Sequence, residues 1–153
     1  MKKKQKLILS WGMTVFAAAC GVAAFFTVFA DAITYSYNIL GNLSYTGLQV
    51  ALGYSLKSGA LELAVFNASA GIILAYLLPM IGACGLIIGK DKKIVMVLSS
   101  ALMVAGGVLC FLLVQFLSGP NVGTPLLAAG PIAAGVLAAF GGVCGCASAF
   151  LKN

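Results

Sequence analysis

The chain has no histidine and no arginine, and among its 153 residues only Asp31, Glu62 and Asp91 are acidic. Lacking histidine, it lacks the commonest general base and the commonest metal ligand. Three separated carboxylates supply one acid–base pair at most, Asp31 with Glu62, and too few ligands for a cation. No catalytic, metal-binding or cofactor-binding residue is therefore assigned, and an enzyme is not expected. Charge is scarce as well, at 8% of residues, where a soluble domain carries about a quarter. None of these charges falls inside a long apolar run, so the intramembrane ionisable group used by proton-coupled carriers and charged-ring channels is missing. Neutral pores lined by carbonyls or hydroxyls remain compatible with the composition.

The five cysteines, Cys20, Cys84, Cys110, Cys144 and Cys146, all lie in apolar runs, so a structural disulfide in an outer loop is not expected. Cys144-Gly145-Cys146 has no histidine or arginine beside it to activate a thiol. It reads as a pair of small packing residues.

What the chain has in abundance is hydrophobicity, 62% of its residues. Four runs approach or exceed the roughly 20 apolar residues that a helix needs to cross the hydrocarbon: about 7–30, 67–89, 94–117 and 129–151. The last could begin at Thr124 with Pro125 in its first turn, but Pro131 would then fall inside the helix and cost a hydrogen bond. A start near Ala129, with Pro131 in the first turn, is preferred. The fold expected is an integral membrane, mainly α protein: one tetraspan domain over 1–153, built as an antiparallel bundle of four transmembrane helices. Its partner is the lipid bilayer.

The basic residues are all lysines, and eight of the nine flank runs: Lys2, Lys3, Lys4 and Lys6 at the start, Lys90, Lys92 and Lys93 in the middle, and Lys152 at the end. That placement marks topology, not nucleic-acid binding. It puts both termini and the "GKDKK" turn in the cytoplasm and residues 31–66 and "SGPNVGT" outside, in a plasma membrane. "KKKQK" followed by an apolar run and Ala30-Asp31-Ala32 also resembles a cleaved secretory signal. The run is nearly twice the usual length of a signal core, so a retained span is expected. Lysine without arginine in so compact a chain suggests a bacterial source.

Inside lipid, helices associate through close packing of small residues and scattered hydrogen bonds. The first run offers Ser10, Thr14, Ala17, Ala18 and Gly21 at helical spacing, leaving Leu7, Trp11, Val15, Val22 and Phe29 as the bulky remainder. The fourth repeats small residues every four positions at Ala134, Ala138, Gly142 and Cys146. Gly82 in the second run and Gly106 in the third continue the pattern. Gly21, Gly82, Gly106, Ala138 and Gly142 are thus the expected helix-packing positions, within one protomer or between copies. Trp11 is placed at the inner interface. Pro79 should kink the second span, because it cannot donate to the carbonyl of Ala75. Tyr76 brings a hydroxyl into the membrane beside it, and the default expectation is a partner on a neighbouring helix. Tyr76 and Pro79 together mark a candidate intramembrane pocket. Asn67 reads as the N-cap of the second span.

Residues 31–66 are too apolar and aromatic for a simple loop. "LQVALGYSLKSGALELAV" alternates, with Leu48, Val50, Leu52, Tyr54, Leu61, Leu63 and Val65 on one face and a turn at Lys57-Ser58-Gly59. A small antiparallel β segment over about 42–66 is expected in the first extracellular loop, with "NILGNLSY" as a third strand. A lone hairpin would leave that face in water, so it should cover the helix ends or meet a partner.

This layout resembles the claudin-like tetraspan class in its four spans, cytoplasmic termini, stranded first outer segment, short second one and small-residue-rich later spans. The later spans are "SSALMVAGGVLCFLLV" and "AAGPIAAGVLAAFGGVCGCASAF". Residues 31–66 contain neither Trp nor Cys, the residue types of that family's signature, so the resemblance implies architecture and transfers no functional residue. The function expected is non-enzymatic: the extracellular β segment mediates protein–protein or cell-envelope interaction or self-assembly into a homo-oligomer. The alternative is a small carrier or pore for a neutral or lipidic molecule, with its site near the span 2 kink.

Overall fold

The computed structural model describes residues 3–37, 41–58, 61–117 and 124–151. Five helices form there: α1 (Lys3–Phe26), the short α2 (Gly47–Leu52), α3 (Ala70–Ile88), α4 (Lys93–Phe111) and α5 (Ala129–Leu151). The four long ones are long and apolar enough to cross a membrane, α1 together with the 3-10 turn Thr27–Phe29 that continues it. This is the pattern of a multi-pass membrane protein. Pro131 falls in the first turn of α5, where its missing N–H costs nothing. The third run is less regular than expected, because α4 stops at Phe111 and a 3-10 turn, Leu113–Phe116, finishes it. The N-cap reading of Asn67 is corrected: Ser69 holds that position, and its hydroxyl donates to the carbonyl of Phe116, 3.0 Å away.

Small residues set the helix contacts. Across α3 and α4, Gly89 sits on Val95, Gly85 on Ser99, Gly82 on Met103 and Gly106 on the Pro79 ring, so the two helices run antiparallel. By contact, α1 lies against α3 and α5, and α4 lies against α3 and α5. Ser10, Thr14, Ala17, Ala18 and Gly21 are all buried, while Leu7, Trp11, Val15, Val22 and Phe29 are exposed on the opposite face. A hydroxyl cluster ties α1 to α5. Ser148 Oγ donates to the Ser10 carbonyl at 2.9 Å and lies 2.6 Å from Thr14 Oγ1. Small residues and hydroxyls of this kind let helix backbones approach closely and bond across the contact.

The lysine-bearing ends meet. Lys90 Nζ lies 4.9 Å from the Trp11 ring centroid, and Lys93 Nζ lies 4.5 Å from that of Phe150. The strands gather at the other end: β1 (Asp31–Tyr37), β2 (Gly41–Thr46), β3 (Tyr54–Ser58), β4 (Leu61–Phe66) and β5 (Thr124–Leu127). They form two sheets, one ordered β2-β1-β5 and the other β3-β4, all antiparallel. The stretch around "NILGNLSY" therefore does supply a strand, but Gly41–Thr46 pairs with β1 and not with the hairpin. The hairpin pairs Ser55 with Ala64, Lys57 with Glu62 and Ser58 with Leu61. Gly59 of the expected turn lies outside the described residues.

The strand expected over residues 48–52 is a helix. Thr46 caps α2, accepting from the Gln49 N–H, while Gln49 Oε1 accepts from the Thr46 N–H at 3.0 Å. This reciprocal pair satisfies two otherwise orphan donors and nucleates the turn. Gly53, at φ 89°, takes a left-handed conformation that ends the helix and starts β3. Leu48, Val50 and Leu52 are two apart, which suggests a strand. Leu48 and Leu52 are also four apart, which serves a helix equally well.

Candidate functional site

The seven residues expected to form one apolar outer face do not share a face. Val50 is fully buried, Leu48 and Leu52 are exposed on α2, and Tyr54 and Val65 are half-buried in the hairpin. Leu61 and Leu63 lie in β4, and their side chains fall outside what is described. In place of that face, a knot of rings joins the two sheets. Tyr45 meets Phe66 edge-on at 5.0 Å between centroids, and Tyr35 packs on both rings at 6.1 and 5.9 Å. Tyr54 completes it, 5.9 Å from Tyr45. Pairs of this geometry add about 0.5–1.5 kcal/mol each beyond their buried area, enough to hold two small sheets as one crown at this end of the helices.

Below the crown, Tyr76 sits in α3 with 2% of its surface exposed. The expected partner on a neighbouring helix is missing. Its hydroxyl is buried and makes no hydrogen bond among the described residues. The oxygen is pressed against the first residue of α2: a Cβ added to Gly47 would lie 2.8 Å from Tyr76 Oη and 2.9 Å from the Val28 carbonyl oxygen. Burying a hydroxyl without a partner costs about 1–3 kcal/mol, so this group is held there against its own preference.

Tyr76 also lines a groove of about 140 Å³. Phe25, Val28 and Phe29 form one wall at the end of α1, Leu48, Ala51 and Leu52 of α2 the second, and Ile73 and Leu77 of α3 the third. The lining exposes no polar atom. Such a surface suits hydrocarbon and offers nothing to an ion or a sugar.

Pro79, the other member of the expected pocket, does not line this groove. It is buried between α1 and α4, with its carbonyl against Gly21 and its ring against Gly106. It sits inside an unbroken α3. The remaining packing positions lie at helix contacts too. A Cβ on Gly82 would meet the Ser99 carbonyl at 2.6 Å, and one on Gly142 the Ser100 carbonyl at 2.8 Å. Ala138 is fully buried, facing Gly107. A second, broader groove of about 500 Å³ lies along α4 and α5, with Val97, Ser100, Val104, Gly142 and Cys146 in its lining. Among the described residues, no group of three or more His, Cys, Asp or Glu comes together to hold a metal.

Sequence reasoning missed β5 and the Tyr76–Gly47 contact. The first had a faint signal in the β-branched and apolar residues around Pro125; the second had none, since it joins residues distant in the chain. Compared with family models, with curated proteins and with solved structures, the chain finds no match.

Proposed function

We propose that this chain is a non-enzymatic, multi-pass membrane protein that holds a neutral, lipid-like molecule in the groove at Tyr76. In this reading the four long helices insert as an antiparallel bundle, with the lysine-rich ends in the cytoplasm and the crown outside, as the positive-inside rule directs. The observation that carries it is the pairing of a wholly apolar groove with a buried hydroxyl that has no partner among the described residues. Hydrocarbon would fill the groove, and an ester, carbonyl or hydroxyl oxygen would accept from Tyr76 once α2 eases away from it. Neutrality follows from the lining, since a charged head group would find no counter-charge there. The claudin-like layout contributes only the placement of the crown over the spans.

A diacylglycerol carrying a photoactivatable group in its acyl chain, added to the protein in vesicles, tests this reading. Labelling should concentrate on Phe25–Phe29, Leu48–Leu52 and Ile73–Leu77 and fall when unlabelled diacylglycerol competes. Even labelling over the outward faces of all four helices would refute it.

A second reading rests on a different observation. Leu43 and Leu126 are exposed on β2 and β5, the two edge strands of the larger sheet. Edge strands offer unpaired backbone groups to an added strand, so the crown would bind a cell-envelope partner or a second copy. Site-specific crosslinking from Leu43 and Leu126 in intact membranes should capture a discrete product; its absence at both positions would remove this reading.

A further inference from the structure

We infer that α2 is an in-plane helix of the bilayer, lying among the acyl chains of the crown-side leaflet and not on a water-facing lid. The inference rests on the long helices being membrane spans, but not on any ligand at Tyr76. Depth is the first argument. α3 has 19 residues, about 28 Å at 1.5 Å per residue, which the roughly 30 Å of hydrocarbon takes up entirely. Anything packed beside its first two turns is therefore inside the leaflet. α2 meets that requirement at both ends. The Ala51 carbonyl accepts from the Ser69 N–H at the very start of α3, 3.1 Å away. Gly47 rests on the Tyr76 hydroxyl, and Leu48 and Leu52 share a groove with Ile73 and Leu77. Those two α3 residues lie about 4–10 Å into the helix from Ala70.

Chemistry is the second argument. α2, "GLQVAL", carries no charge, and its one polar side chain is turned away: the Gln49 amide oxygen accepts from the Thr46 N–H at 3.0 Å and from the Thr46 hydroxyl at 3.3 Å. What the helix presents outward is carbon, Leu48 at 41% and Leu52 at 61% exposure, one turn apart on one face. That face continues the lateral surface of the spans, flanked by Phe29 at 60% and Leu77 at 36% exposure. In water this would be an exposed apolar patch on a short helix. In the interfacial zone it is the ordinary burial of an in-plane helix, some 5–10 Å deep.

The test moves the chain's single tryptophan, Trp11, to α2. In a Trp11→Phe background, Leu52→Trp is reconstituted into phosphatidylcholine vesicles, and its emission is quenched either by lipids brominated near the head of the acyl chain or by aqueous iodide. Brominated lipid should remove most of the emission and iodide little of it, with a blue-shifted maximum. Strong iodide quenching with weak bromine quenching would overturn the inference. So would protection from both, which would place a second copy or a partner chain over the leucines. Leu48→Trp, on the same face, gives the same readout if Leu52→Trp fails to fold. Neither result depends on whether diacylglycerol labels the groove, so the two proposals stand or fall separately.

Discussion

Cys110 on α4 donates its thiol to the carbonyl oxygen of Ala75 on α3, 3.4 Å away. Ala75 is the residue whose carbonyl Pro79, four positions on, cannot reach, because proline has no N–H. Buried there, the orphaned oxygen is out of reach of solvent, and a neighbouring helix supplies its partner. Both residues are fully buried, and their contact explains how α3 carries a proline without breaking. It also gives Cys110 a purpose that packing alone does not.

Removing that donor should therefore cost more than the lost volume. Cys110→Ala is expected to destabilise the protein by about 1–3 kcal/mol, the penalty of a buried unsatisfied carbonyl, while Cys110→Ser retains most of the stability. The penalty should shrink in a Pro79→Ala background, where residue 79 donates to Ala75 itself. A double-mutant cycle on denaturation in detergent measures the coupling; strict additivity would show that the thiol and the proline are unrelated.

Tyr76→Phe removes an oxygen that has no partner among the described residues, while keeping the ring that walls the groove. In delipidated detergent the variant should match or exceed the parent, by up to about 1–3 kcal/mol. Its labelling by photoactivatable diacylglycerol should fall. A large loss of thermal stability in detergent would mean that the hydroxyl is bonded within the protein after all.

Gly47→Ala places a methyl carbon within 2.9 Å of the Val28 carbonyl, a backbone atom that cannot swing aside. Overpacking of this kind costs about 1–3 kcal/mol, and here it should lift α2 off α3. Cysteine accessibility at position 73, introduced as Ile73→Cys, would rise in the Gly47→Ala variant. Adding Tyr76→Phe should not rescue it, because the Val28 contact remains.

The packing glycines are not equivalent. Gly142→Leu forces atoms into Val104 and the Ser100 carbonyl, whereas a Cβ on Gly12 would meet nothing within 4 Å. Gly142→Leu should abolish monodisperse protein on size exclusion. Gly12→Ala should be tolerated or gain up to about 1 kcal/mol from helix propensity. Equal behaviour of the two variants would argue that these faces do not set the assembly.

Much of the fold is legible because long apolar runs leave the backbone few choices. A run of about 20 apolar residues must close its own backbone bonds as a helix, and small residues at spacing four must face another helix. The rows Ser10–Gly21 and Ala134–Gly142 were readable on that basis, as was the start of α5 near Ala129. The error over residues 48–52 was a local one. Thr46 and Gln49 have the spacing of a capping box and Gly53 that of a stop signal, and these signals outweigh the alternation of Leu48, Val50 and Leu52.

By itself, then, the sequence determined how many helices can cross, which faces pack, and which chemistries lack their residues, since each depends on neighbours a turn or two away. Only the tertiary structure decided that β5 joins β1, that Cys110 answers the orphaned carbonyl of Ala75, and that Tyr76 is sealed under Gly47 without a partner among the described residues. Those facts join residues tens of positions apart. Nothing local distinguishes a hydroxyl that will find an acceptor from one that will not, because the acceptor arrives only when the helices pack.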